Sequence, residues 1–192
     1  MATPESGHSG GAECAVAHGD VPGPAHAERT LVAVYATAVA TYLLQWGREL
    51  GFVPVLVEPD PTRITDEHRR VALVVVTDPA AAAIDTTTDV VVTDHHRDDL
   101  GAVMAPLLMA GPRWIGIMGS TRHAPPHVPA LRECGVDDES IATVRRPIGL
   151  DIGSKEPAEI ALATLAGLVA DRNGRAGGSL DASTAATSTP RP

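Results

Sequence analysis

The sequence predicts an α/β protein, doubly wound, with a mostly parallel sheet of about six strands and helices on both faces. Three observations carry that reading. Short all-apolar runs such as Leu31-Val32-Ala33-Val34 lack the polar alternation of a half-solvated strand, as expected of strands covered on both faces. Segments with apolar residues at helical spacing follow those runs. Repeated strand and helix units imply a parallel sheet closed by right-handed crossovers.

Leu31 to Val34 is the first strand, and Val39, Ala40, Leu43, Leu44, Gly47 and Leu50 then fall at helical spacing. Gly51 stands where a helix C-terminal glycine belongs. Val55-Leu56-Val57 gives a second strand that ends in the acidic Glu58. Further strands are expected at Val71 to Val76, Asp89 to Thr93 and Trp114 to Ile117, with a weaker one near Ile141 to Val144. Helices are expected at Leu100 to Met109, Val128 to Cys134 and Pro157 to Asp171. The arrangement is Rossmann-like.

Composition bounds the rest. The chain has 192 residues, 44% of them hydrophobic, a formal net charge of −9 and two cysteines. That length suits one core, since domains of about 100 to 150 residues are commonest. Residues 1–28 are rich in Gly, Pro, Ala and His, and residues 173–192 in Gly, Ser, Thr and Pro. Both read as disordered tails around a domain at 29–172, because such compositions bury too little apolar surface to offset ordering entropy. The acidic balance repels a polyphosphate backbone, so nucleic acid is not an expected partner. No basic n-region with an apolar h-region opens the chain, and no run approaches the roughly 20 residues that span a bilayer. The expected location is the cytoplasm, with no membrane contact. Cys14 and Cys134 are too few for a disulfide framework, and Cys134, beside Gly135, reads as a buried small hydrophobe at a helix end.

The most informative stretch is Pro147-Ile148-Gly149-Leu150-Asp151-Ile152-Gly153, followed by Glu156-Pro157-Ala158-Glu159-Ile160-Ala161. Two glycines, a proline and a carboxylate interrupt apolar residues, which marks a tight turn opening a helix. With it go Trp114-Ile115-Gly116-Ile117-Met118-Gly119-Ser120, and Val90-Val91-Val92-Thr93 before an Asp/His-rich loop. In order and spacing these segments resemble the C-terminal Rossmann domain of the XdhC/CoxI family over about residues 30 to 170. The resemblance implies an accessory protein that matures molybdenum hydroxylases of the xanthine dehydrogenase or carbon monoxide dehydrogenase type. It would handle the molybdenum cofactor, as molybdopterin or its dinucleotide form, before insertion. The partners so implied are a molybdenum hydroxylase and a cysteine desulfurase, with a homodimer as a further expectation. Full-length members carry another N-terminal domain with a Ser-Gly-Gly-Cys-type motif, and Ser9-Gly10-Gly11-Ala12-Glu13-Cys14 reads as a chance likeness to it.

The chain departs from the family pattern at the first strand-to-helix turn. The family usually has Gly-Ala-Gly-His there, where glycines admit a pyrophosphate to the helix N-terminus; here the turn is Tyr35-Ala36-Thr37-Ala38. Tyr35 and Thr37 place side chains where a diphosphate would pass, so NAD(P) binding is in doubt. Glu58 lies near the roughly 20-residue distance expected of a ribose-binding acid; the alternative, a carboxylate that merely ends a strand in solvent, stands level with it.

Gly119-Ser120-Thr121-Arg122 follows a strand and precedes a helix, so amides, hydroxyls and the Arg122 guanidinium could converge on a phosphate or pterin substituent. The family commonly has an arginine where Thr121 stands. The alternative is that Ser120 caps the helix. Thr93-Asp94-His95-His96-Arg97-Asp98-Asp99 offers metal-competent side chains, but adjacent residues diverge, so no metal is expected and Asp94 is read as a helix cap, with His96 lining the crevice. Asp151, flanked by Gly149 and Gly153 at the carboxyl side of the sheet, either accepts hydrogen bonds from a pterin or nucleobase or braces its own turn.

No nucleophile and base pair, P-loop or metalloprotease motif is legible. The leading expectation is a non-catalytic cofactor chaperone. The alternatives are an NAD(P)-dependent oxidoreductase using the same crevice, and a protein-interaction paralogue without ligand.

Overall fold

The computed structural model describes residues 28–120 and 122–178. Both expected tails fall mostly outside that range, as do Cys14 and Thr121.

Five parallel strands form one sheet: β1 (Arg29–Val34), β2 (Phe52–Val57), β3 (Val74–Val76), β4 (Thr88–Val92) and β5 (Trp114–Ile117), in the order β3-β2-β1-β4-β5. Among the described residues six α-helices accompany them: α1 (Ala38–Glu49), α2 (Asp66–Val71), α3 (Leu100–Met109), α4 (His127–Glu133), α5 (Asp138–Ala142) and α6 (Pro157–Arg172). Strand alternation divides the core between the two faces. Leu31 packs with Leu43 of α1 and Leu165 of α6 on one side, and Val32 and Val34 pack with Met104 and Leu107 of α3 on the other. Every residue of β4 is buried, as the sheet's interior position requires.

Among the described residues the sheet has five strands, where about six are expected. In the run expected as a strand near Ile141 to Val144, Ile141 and Ala142 instead end helix α5, whose N-cap Asp137 accepts from the Ser140 amide at 2.8 Å, and Thr143 and Val144 turn away from it. A polar Asp-Asp-Glu-Ser start satisfies helix amides that a strand would leave open. The sixth sheet position is held by one residue, Arg145, which bridges Gly116 in parallel, donating to the Ile115 carbonyl and accepting from the Ile117 amide. The expected Val71 to Val76 strand is likewise split. Val71 ends α2, which Thr65 and His68 open with a capping box, and β3 begins only at Val74. Among the described residues no helix is long and apolar enough to cross a membrane.

Register aligns the strand ends. Val34 stands opposite Val57 on one side and Val92 on the other, and Val92 stands opposite Ile117. The next residue of each strand, Tyr35, Glu58, Thr93 and Met118, therefore lies in one row along the carboxyl edge. Between β1 and β4 the connections leave in opposite directions, the switch point at which open α/β sheets form their crevice.

Candidate functional site: a crevice filled by its own side chains

Tyr35 leaves β1 with φ of +75°, a left-handed conformation that costs a non-glycine residue roughly 1–2 kcal/mol. The phenol it carries is fully buried. Its hydroxyl donates to Asp99 Oδ1 at 3.1 Å. Burial first, and then the neighbouring Asp99 carboxylate, push the phenol far above its ordinary pKa, so it serves as a neutral donor. The Arg97 guanidinium lies over the ring, 4.5 Å from its centroid.

Glu58, one residue past β2, has no solvent exposure on its side chain. Its two carboxylate oxygens accept from the Ala36 amide at 2.8 Å and the Asp60 amide at 3.0 Å. Arg97 approaches both of them at 3.4 Å and donates to Asp99 Oδ2 at 3.1 Å. The carboxylate expected either to bind a ribose or to end a strand in solvent does not face solvent. It is occupied by the amide of the very turn that a diphosphate would need, and by an arginine from the loop after β4.

Thr37 is the N-cap of α1. Its hydroxyl accepts from the Ala40 amide at 3.1 Å and donates to Thr93 Oγ1 at 2.9 Å. Thr93 Oγ1 has the Val34 and Tyr35 carbonyls within 2.9 and 3.1 Å. Two hydroxyls from opposite sides of the switch point thus join across it, and one of the amides that would meet an anion is already capped. Tyr35, Thr37, Glu58 and Thr93 are brought together as the sequence suggests, with every polar side-chain group partnered inside the protein.

Among the described residues no hydrogen bond ties the other expected site residues to these four. His96 is exposed; its amide donates to Asp94 Oδ1 at 2.9 Å and its ring packs on His95, centroids 4.0 Å apart. Asp94 therefore closes an Asx turn rather than capping α3, whose N-cap is Asp99. Ser120 does not cap a helix either. Its hydroxyl accepts from the Arg122 amide at 3.1 Å, and α4 starts only at His127, after Pro125 and Pro126. The Arg122 side chain is exposed. Gly119, just past β5, leaves the space where a Cβ would meet Arg146 Nε at 2.9 Å, and Arg146 donates to the Ser120 carbonyl at 2.6 Å and the His123 carbonyl at 3.2 Å.

The Pro147 to Gly153 block runs along α6. Gly149 has φ of +86°, and a Cβ there would come within 3.1 Å of the Ala163 and Thr164 backbone. The Leu150 amide donates to the Ala163 carbonyl at 3.1 Å. Asp151 is exposed and its carboxylate makes no hydrogen bond among the described residues, so it does not brace its turn, and Gly153 has open space around it. Cys134 is exposed at the C-cap of α4, not buried.

Arg97 and Asp99 are the crevice side chains that sequence reasoning leaves unassigned. Their signal is a lone arginine among three aspartates in residues 94–99, a pattern that raises metal chemistry before ion pairing. Arg146 is hidden directly before the Pro147 block.

Comparison with known proteins fits this architecture. The model of the XdhC Rossmann domain matches residues 31–168. The crystal structure of a xanthine dehydrogenase from Bacillus halodurans superposes with a TM-score of 0.63 at 23% identity, over 77% of this chain and 44% of that one. An uncharacterized protein, YqeB of Escherichia coli strain K12, is 38% identical over 65 residues, 34% of this chain and 12% of that protein. The chain spans less than half the length of either. With the match extending from β1 into α6, the chain belongs to the XdhC Rossmann domain family.

Proposed function

We propose that this domain is an accessory factor in the maturation of a molybdenum hydroxylase, and that it works without a resident dinucleotide. Membership of the XdhC family supports the accessory role, and the xanthine dehydrogenase name carried by the Bacillus halodurans protein favours that type of client. The observation that carries the second half is the Glu58 carboxylate, fully buried and held by the Ala36 amide and Arg97. A ribose or diphosphate entering there must displace Tyr35, break those bonds and leave a buried charge unpaired. The residues present do not fit NAD(P), and the same filling leaves no cradle for a pterin dinucleotide at the switch point. Any molybdopterin handled by the protein meets the loops after β5 instead, where Ser120, Arg122 and Arg146 stand nearer to solvent.

The test is reconstitution. Apo xanthine dehydrogenase is supplied with molybdopterin in the presence and absence of this chain, with and without NAD, and the recovery of active enzyme is followed. Faster recovery with the chain, unchanged by NAD, is expected. Recovery at the same rate without the chain overturns the accessory role, and an NAD requirement overturns the dinucleotide-free reading. Native mass spectrometry of the chain purified from a molybdenum-replete host then reads directly whether a pterin travels with it.

A further inference from the structure

The middle of α6 carries no charge on any side. From Ile160 to Ala170 there is no ionisable side chain. Thr164, the one polar residue of that run, is buried, and its hydroxyl donates to the Ile160 carbonyl at 2.9 Å. The neighbouring α1 differs, with Gln45, Arg48 and Glu49 exposed on its outer face. A helix apolar all round is normally covered all round, yet Leu162 is 54% exposed. We propose that the outer face of α6 is covered by α6 of a second copy of this chain, packed antiparallel about a two-fold axis at Ala166.

Spacing defines the stripe. Glu159, Leu162, Ala166, Val169 and Asn173 recur every three or four residues and so line one side of the helix, as seam positions do in coiled coils. Glu159, Leu162 and Asn173 are exposed, and Ala166 and Val169 half-buried. The other sides of α6 are occupied. Ala161, Leu165 and Leu168 pack in the core with Leu31, and Ala163 accepts from the Leu150 amide of the Pro147 to Gly153 block. Trp46 of α1 packs against the same core cluster as Val169, and the exposed Tyr42 ring lies on Trp46, centroids 5.1 Å apart, which widens the apolar face.

The stripe complements itself when reversed, and this selects a second copy as the occupant. Antiparallel helices crossing at Ala166 set Leu162 against Val169 of the other copy, Ala166 against Ala166, and the Glu159 carboxylate against the Asn173 amide. The small side chain at the crossing lets the axes approach closely. Charge agrees with the same direction. Lys155, Glu156 and Glu159 make the first end of α6 net negative, and Asp171, Arg172 and Arg175 make the last end net positive. Antiparallel packing places each acidic end beside a basic one and opposes the two helix dipoles, whereas parallel packing would put like charges together. Residue i meeting j while j meets i is the pairing an isologous interface requires. One helix pair with an aromatic border belongs at the small end of specific interfaces, so the affinity is micromolar. The interface stands on this geometry alone and is independent of the accessory role.

Sedimentation velocity of the full chain, followed from about 1 to about 200 µM, is expected to pass from monomer to dimer. Leu162→Glu, a change at an exposed side chain, is expected to weaken the dimer about tenfold or more with the circular dichroism of the monomer unchanged. Position is read by cross-linking, in a chain carrying Cys14→Ser and Cys134→Ser. Ala166→Cys there is expected to give a covalent dimer on mild oxidation, since the two-fold axis brings the residue against itself within disulfide reach. Glu133→Cys, exposed at the end of α4, is the control and is expected to stay monomeric. A chain monomeric up to about 200 µM overturns the second copy as occupant, whatever else covers the stripe. A dimer undiminished by Leu162→Glu, or one in which Ala166→Cys cross-links no faster than Glu133→Cys, overturns the assignment to α6.

Discussion

The Arg97 guanidinium carbon lies 4.5 Å from the centre of the Tyr35 ring. That stacking joins a residue from the loop after β4 to the residue standing where a dinucleotide-binding turn carries its first glycine. From there Arg97 reaches Glu58 and Asp99, so one side chain ties the ends of β1 and β2 to the loop after β4. The expected consequence is that NAD and NADP bind no tighter than about 1 mM, roughly 4 kcal/mol. Isothermal calorimetry at pH 7 checks this, and micromolar affinity for either would restore the oxidoreductase reading.

Glu58 should then matter for stability rather than for ligand binding. Glu58→Gln keeps the shape but turns an amide donor toward one of the two backbone amides the carboxylate now accepts, and it removes one of the two carboxylates that pair with Arg97. Arg97 is 14% exposed on its side chain, so part of its charge is recovered by solvent. The net loss is expected at about 2–3 kcal/mol. In a domain of this size that lowers the melting temperature by roughly 5–10 °C. Scanning calorimetry reads it, and a drop under about 2 °C would show that the carboxylate is not a structural member of the crevice.

The Pro147 to Gly153 block divides into a packed glycine and a free carboxylate. Gly149→Ala forces a Cβ into a positive-φ position 3.1 Å from the α6 backbone, and should cost about 2–4 kcal/mol. Asp151→Asn touches no partner and should stay within about 0.5 kcal/mol of wild type. Chemical denaturation compares the two variants. Should Asp151→Asn melt several degrees lower, the aspartate braces its turn after all; should it melt as wild type yet slow molybdopterin delivery in the reconstitution, it contacts the cargo.

How far the sequence speaks depends on what kind of contact a residue makes. Strands and helices that are buried announce themselves by composition alone, which is why β5 and α3 occupy the spans legible in the sequence, Trp114–Ile117 and Leu100–Met109. The ends of helices are written in single polar residues, here Thr65 and Asp137, and the apolar residues that end each helix favour a strand reading, which α2 shortens at Val71 and α5 removes at Ile141 and Ala142. At the crevice, Tyr35 and Thr37 can be recognised as obstacles because a motif fixes what belongs there. What fills the space cannot, since the Arg97–Glu58 contact spans a loop whose path depends on the fold. Asp151 stays undecided for the opposite reason: a glycine-flanked aspartate looks the same whether the turn faces a ligand or lies on a helix.

His127 supplies a pH dependence of definite sign. Burial, and then Arg146, lower its folded pKa below the ordinary imidazole value of 6.5. The unfolded chain therefore binds the proton first, and stability rises with pH wherever the unfolded state holds more protons. Stability attributable to His127 is fully present above about pH 6.5 and is lost as the pH falls from there through the folded pKa. Replacing His127 by Asn should flatten the stability profile between about pH 7 and pH 5, leaving the loss that other groups cause. Urea unfolding of both proteins at several pH values measures the difference, and parallel profiles would mean that the imidazole is as free to protonate in the folded chain as in the unfolded one.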